Sequence, residues 1–114
     1  MIRFRIEIAV VAFVLGLVTS AAAQTAVSIS DIRRSPNDYD RSSVAVSGTV
    51  KEITTEPEYQ TFKVCSKHCL WVLAWGTPGV ENGQFLTVSG QFRVAKRIGP
   101  CTLRNIIVVQ PGTL

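Results

Sequence analysis

Ser43-Val44-Ala45-Val46-Ser47-Gly48-Thr49-Val50-Lys51-Glu52-Ile53 alternates apolar and polar residues with a period of two. Successive side chains of an extended strand point to opposite faces. Val44, Val46, Gly48 and Val50 therefore share one face of a strand, and Ala45, Ser47, Thr49 and Lys51 the other. Ile53 falls out of phase with the valines, and one extra residue near Glu52, a β-bulge, returns it to the core. Gly48 in mid-strand fits strong coiling or a close backbone approach.

Working outward, the same period recurs. Phe85 to Val94 places Leu86, Val88, Gly90, Phe92 and Val94 inward, with Thr87, Ser89, Gln91 and Arg93 outward. Between these two strands, Glu56-Pro57-Glu58 makes a turn into a strand at Tyr59 to Cys65. Ser66-Lys67-His68 then connects to a third strand at Cys69 to Trp75. Gly76 to Gly83 contains Pro78, Gly79 and Asn82, too many turn residues for a helix. A basic loop with Gly99-Pro100 leads to Asn105 to Val109, an apolar run typical of a strand buried on both faces. Upstream, Ser28 to Asp40 reads as a short helix and a turn, with Ser30 as N-cap, Asp31 in the first turn, and Pro36 and Asn37 as the stop. Five strands at this spacing predict an all-β domain, a small barrel.

The chain has 114 residues, the length of one domain. Met1 to Ala23 reads as a secretory signal peptide: Arg3 and Arg5 precede the apolar run Ile8 to Val18, and Ala21-Ala22-Ala23 offers a small-residue cleavage site. The alternative is a retained anchor, but the apolar stretch falls short of the ~20 residues a spanning helix needs. Removing those 23 residues leaves a single domain, 24–114, exported to a periplasmic or secreted location, with no membrane span after cleavage. Without Arg3, Arg5 and Glu7 its ten basic and seven acidic side chains leave a net charge of +3, which permits an anionic partner without demanding one. A domain this small buries only about 60–65% of its unfolded surface, so a cross-link would help it.

Three stretches resemble the opening of exported (periplasmic) OB-fold domains: Ile29-Ser30-Asp31-Ile32, Asn37-Asp38-Tyr39-Asp40 and Val44-Ala45-Val46-Ser47-Gly48-Thr49-Val50. Val88-Ser89-Gly90-Gln91-Phe92 is similar to their fourth strand. The resemblance implies a five-stranded OB-like barrel, whose relatives bind nucleic acid, sugars or proteins. The chain departs from the pattern between the third and fourth strands, where the family's helix is reduced to a loop. The resemblance also implies that the third and fifth strands run parallel and adjacent, with the loops before them at one barrel end. That arrangement would bring Cys101 within reach of Cys65 and Cys69.

An oxidising compartment disfavours free thiols, and three cysteines cannot all pair within one chain. A disulfide with one thiol left over is the first reading. Chain entropy gives ~2 kcal/mol for closing Cys65 to Cys69 and ~3.7 kcal/mol for Cys69 to Cys101, which favours the bond to Cys101. A second reading is a zinc site from Cys65, His68, Cys69 and Cys101, although Cys-x-x-His-Cys is not a strong zinc spacing. A thiol-redox module is the third: Lys67 and His68 could supply the charge that lowers a thiol pKa, but no helix N-terminus is predicted there.

If Ser66 to His68 is the loop, Cys65 pairs with Cys69. Tyr59 then faces Trp75, Thr61 faces Leu73, and Lys63 faces Trp71 on the outward side, while Phe62, Val72, Val64 and Leu70 face the core. Tyr59, Lys63, Trp71 and Trp75 are the candidate ligand platform, because flat rings stack bases or sugars. The alternatives are hydrophobic packing beneath another segment, and a protein interface with an envelope component or a second copy. Arg93, Lys96, Arg97 and Arg104 cluster around the loop joining the last two strands and are candidate anion contacts.

Catalysis finds little support. The lone His68 has no nucleophile and acid arranged around it, and Asp38 and Asp40 are not placed across a scissile bond. Gly76, Gly79 and Gly83 do not form a phosphate loop. The expectation is a non-enzymatic exported binding module with no cofactor, taking nucleic acid or oligosaccharide. The rivals are a protein-interaction module and a Cys/His metal or redox module.

Overall fold

The computed structural model describes residues 25–114; the signal-peptide reading of Met1 to Ala23 lies outside the described residues. The chain forms β1 (Thr25–Ala26), α1 (Ile29–Arg34), a 3-10 turn (Pro36–Tyr39), β2 (Ser43–Thr55), β3 (Tyr59–Cys65), β4 (Cys69–Trp75), β5 (Phe85–Ile98) and β6 (Cys101–Val109). It is an all-β fold with one sheet. β2 pairs with β5 through Ser43 to Thr49 and with β3 through Thr49 to Thr55. β3 pairs with β4, β4 with β6 in parallel, and β6 with β5, so the pairings return to β2.

Residues expected to face inward line a common core. Val44, Val46, Val50, Phe62, Val64, Leu70, Val72, Val88, Phe92 and Ile107 are buried in one cluster. Ile29 and Ile32 of α1 join it, one helical turn apart. A six-residue helix is unstable alone, so α1 is held by these two side chains rather than by its propensity. Its N-cap is Ser28, whose Oγ accepts the N–H of Asp31 at 3.1 Å. This corrects the expectation of Ser30. Capping from Ser30 would start the helix after Ile29 and lose the Ile29–Ile32 face.

The predicted bulge lies where the phase of the valines places it. Lys51 pairs with Lys63 and Thr54 with Thr61, so Glu52 and Ile53 together oppose Phe62. Glu52 has φ 55° and takes up the extra residue, and Ile53 packs against the core. Two inward glycines serve close approach. A Cβ on Gly48 would lie 2.6 Å from the Cys65 carbonyl oxygen, and one on Gly90 would collide with the Val108 carbonyl oxygen. Among the described residues Gln60 is the buried polar one. Its amide donates to Thr55 Oγ1 at 2.9 Å and its carbonyl accepts the Gly79 N–H at 3.1 Å, which pins the non-helical loop after β4.

The last hairpin differs from expectation. β5 runs on past Val94, and β6 begins at Cys101 rather than near Asn105. Pairs continue from Ala95–Arg104 to Ile98–Cys101, so the expected basic loop shrinks to Gly99-Pro100. The ladder skips one pair, Val94 with Asn105. There Asn105 has φ 52° and the Val94 N–H is donated to Asp40 Oδ1 at 2.9 Å. Beyond that interruption Ile98 and Leu103 pack in a second cluster with Leu73, Ile106, Val108, Tyr59 and Trp75. The end of the hairpin thus leans over the outward face of β3 and β4.

Candidate functional site

The β3–β4 register is the expected one: Tyr59 opposite Trp75, Thr61 opposite Leu73, Lys63 opposite Trp71 and Cys65 opposite Cys69. All four pairs point away from the main core. Tyr59 and Trp75 meet edge to face, with ring centroids 5.4 Å apart. Lys63 Nζ lies 5.1 Å from the Trp71 ring centroid and 2.9 Å from Glu52 Oε2, the residue that the bulge turns toward it.

The four platform residues are nevertheless not one open surface. Leu73, between the two tryptophans along β4, is fully buried by the second cluster. Tyr59 and Trp75 are half-buried in that packing, whereas Trp71 is 39% exposed. The hairpin therefore divides the face in two. On the Tyr59 side, Thr54, Glu56, Tyr59, Thr61, Ile98 and Leu103, with the Gly99-Pro100 turn and Cys101, line a groove of about 430 Å³. On the Trp71 side, a recess of about 300 Å³ is lined by Arg33, Lys63, His68, Cys69, Leu70 and Trp71.

Cys65 is bonded to Cys69, and Cys101 is a free, exposed thiol. The preferred bond to Cys101 is thereby corrected. The expectation placed Cys101 at the barrel end that holds Ser66 to His68. The early start of β6 and the bend at Asn105 carry it instead to the groove beside Tyr59 and Thr61. Thr61 and Tyr59 lie four and six residues from Cys65 along β3, about 13 and 20 Å at ~3.3 Å per residue, beyond the reach of a disulfide. The same separation removes the proposed zinc quartet of Cys65, His68, Cys69 and Cys101. Among the described residues no group of three metal-ligating side chains comes together.

The basic residues are likewise not a loop cluster. Arg93 stands in the body of β5 opposite Ile106, before the bend. Lys96 shares the sheet-facing side of the hairpin with Leu103, while Arg97 and Arg104 occupy the exposed side. Arg93 keeps its Nε buried without a hydrogen-bond partner.

Sequence reasoning missed Arg33, whose guanidinium donates to the Cys69 carbonyl oxygen at 3.1 Å and so stands at the end of the β3–β4 hairpin. The contact spans 36 residues and leaves no local signal. It also missed Ile98 and Leu103, although both lie in phase along the extended hairpin. Compared with known families and curated proteins, the chain matches no family model and no curated sequence.

Proposed function

We propose that this chain is an exported, OB-like barrel that acts as a binding module and takes an oligosaccharide in the groove beneath the β5–β6 hairpin. The observation that carries the reading is the clasp itself: Ile98, Leu103 and the Gly99-Pro100 turn stand over Tyr59 and Thr61 and leave an open groove. Its volume falls within the ~300–1,000 Å³ of small-molecule sites. The return of the pairings to β2 supports the barrel. OB barrels take extended ligands on the sheet face between two of their connecting turns. Here those turns are Glu56 to Glu58 and Gly99-Pro100.

The lining chemistry favours a sugar over a nucleic acid. Tyr59 offers an aromatic ring, Thr54 and Thr61 offer hydroxyls, and Glu56 offers an acceptor for ligand hydroxyls. No Lys or Arg lines the groove, so a phosphate backbone would meet Glu56 there instead of cations. Among the described residues the protein-interface reading draws on three exposed large hydrophobics, Trp71, Phe85 and Leu114. Phe85 stands at the start of β5 opposite Thr49 of β2, before β5 begins to pair with β6 at Gln91, whereas Trp71 of β4 pairs with Lys63 of β3 and with Ile106 of β6, so the two rings are not cross-strand neighbours.

Titration of the ¹⁵N-labelled exported protein with cellotetraose tests the reading. The amides of Thr61, Tyr59 and Leu103 should shift together, and Glu56→Gln should weaken binding about fivefold or more. Silence of those amides at millimolar cellotetraose and low salt rejects it.

A further inference from the structure

The groove and the recess are neighbours. Thr61 lines the first and Lys63 the second, and they point the same way from β3, about 7 Å apart at the usual strand rise. Their chemistry differs sharply. The groove has one charged lining residue, Glu56, whereas the recess gathers Arg33, Lys63 and His68 around Trp71, the exposed aromatic of the β3–β4 face. Lys51 pairs with Lys63 on the neighbouring strand and Lys67 sits in the adjoining turn, so the surroundings add positive charge. Glu52 is the acidic group facing them, and it is engaged with Lys63.

Arg33 is tethered beside the recess. One terminal nitrogen is committed to the Cys69 carbonyl, which fixes the planar fork at the mouth of the recess. A guanidinium has five N–H donors, and its remaining ones match the two oxygens of a carboxylate or phosphate. The Cys65–Cys69 bond steadies the strand ends that carry the carbonyl and Trp71.

We infer that the ligand is an acidic oligosaccharide, its sugar rings in the Tyr59–Leu103 groove and an oxyanion substituent in the recess against Arg33 and Lys63, beside Trp71. This rests on the reading of the groove as a sugar site and adds the charge of the ligand. A neutral chain would fill the groove and leave the recess to water. An acidic one spans both.

The two tryptophan indoles provide separate reporters, since Trp75 packs on groove-lining Tyr59 and Trp71 lines the recess. The ¹⁵N-labelled exported protein is titrated with tetragalacturonate, with cellotetraose as the neutral counterpart, and with glucose 6-phosphate as a phosphate-bearing sugar. Tetragalacturonate is expected to move the Trp71 indole and the groove amides together and to bind about tenfold more tightly than cellotetraose at low salt. Arg33→Gln should bring the two affinities to within about threefold while leaving cellotetraose binding unchanged. Lys63→Gln, which leaves the Arg33–Cys69 contact and α1 intact, should do the same, so the test does not depend on the stability of the Arg33 variant. A response of the Trp71 indole to glucose 6-phosphate would show that phosphate also serves as the oxyanion.

Equal affinities for the two tetrasaccharides, or a Trp71 indole that stays still while the groove responds, overturn the inference and leave the groove reading intact. Shifts confined to Trp71, with the groove silent, overturn the sugar reading and the inference together.

Discussion

Asp40 Oδ1 accepts the backbone N–H of Val94 at 2.9 Å, at the one position where the β5–β6 ladder skips a pair. A side chain from the turn before β2 thus takes a donor released where the hairpin changes direction. Two further bonds brace the same point, from Arg41 N–H to the Phe92 carbonyl at 2.7 Å and from Phe92 N–H to the Ser42 carbonyl at 2.9 Å. The bend decides where Ile98, Leu103 and Cys101 lie, and therefore whether the outward face carries a groove.

Asp40→Ala should remove the acceptor without disturbing the core, since Asp40 is exposed. A lost hydrogen bond to a carboxylate costs about 1.5–3 kcal/mol at most, and the exposure of this one places it near ~1 kcal/mol. Urea unfolding reads the stability. Hydrogen exchange at the Val94 amide should accelerate more than at Val88, and equal protection at both sites would contradict the role given to Asp40.

Gly48→Ala and Gly90→Ala should both destabilise, because each new Cβ meets backbone rather than a yielding side chain. Overpacking of this kind costs roughly 1–3 kcal/mol. Gly79→Ala is a useful contrast: no atom crowds its Cβ, but its φ of +80° strains any L side chain. Thermal unfolding of the three variants should rank Gly90→Ala and Gly48→Ala below Gly79→Ala. The reverse order would mean that the strands do not approach as described.

The unreduced protein, denatured and treated with an alkylating reagent, should gain one adduct by mass, at Cys101. After reduction it should gain three. The Cys65–Cys69 bond closes a short loop, for which chain entropy gives about 2 kcal/mol, so reduction should lower stability by roughly that much. Cys101→Ser should leave stability nearly unchanged. Three adducts without reduction, or one located at Cys65 or Cys69, would contradict the pairing.

Much of the sheet was legible from period alone. The valines of β2, the alternation from Leu86 to Phe92 and the three-residue turn at Ser66 to His68 each allow one register, and Ile53 out of phase revealed the bulge at Glu52. The course of the last hairpin was not. Lys96 and Arg97 break the apolar pattern between Val94 and Ile98, so an extended ladder reads as a basic loop. The bend depends on a left-handed Asn105 and on Asp40, more than fifty residues from its partner, and neither has a local signature. The cysteine pairing and the divided aromatic face both follow from that bend. An account of β5 and β6 as a short hairpin therefore misplaces both.

The free thiol offers the most direct test. A nitroxide attached to Cys101 should broaden the amide resonances of Tyr59 and Thr61, which line the same groove, and leave those of Ser66, Lys67 and His68 sharp. Broadening centred on Ser66 to His68, with Tyr59 and Thr61 unaffected, would place the hairpin tip at the other end of the sheet and contradict the groove on which the proposed function depends.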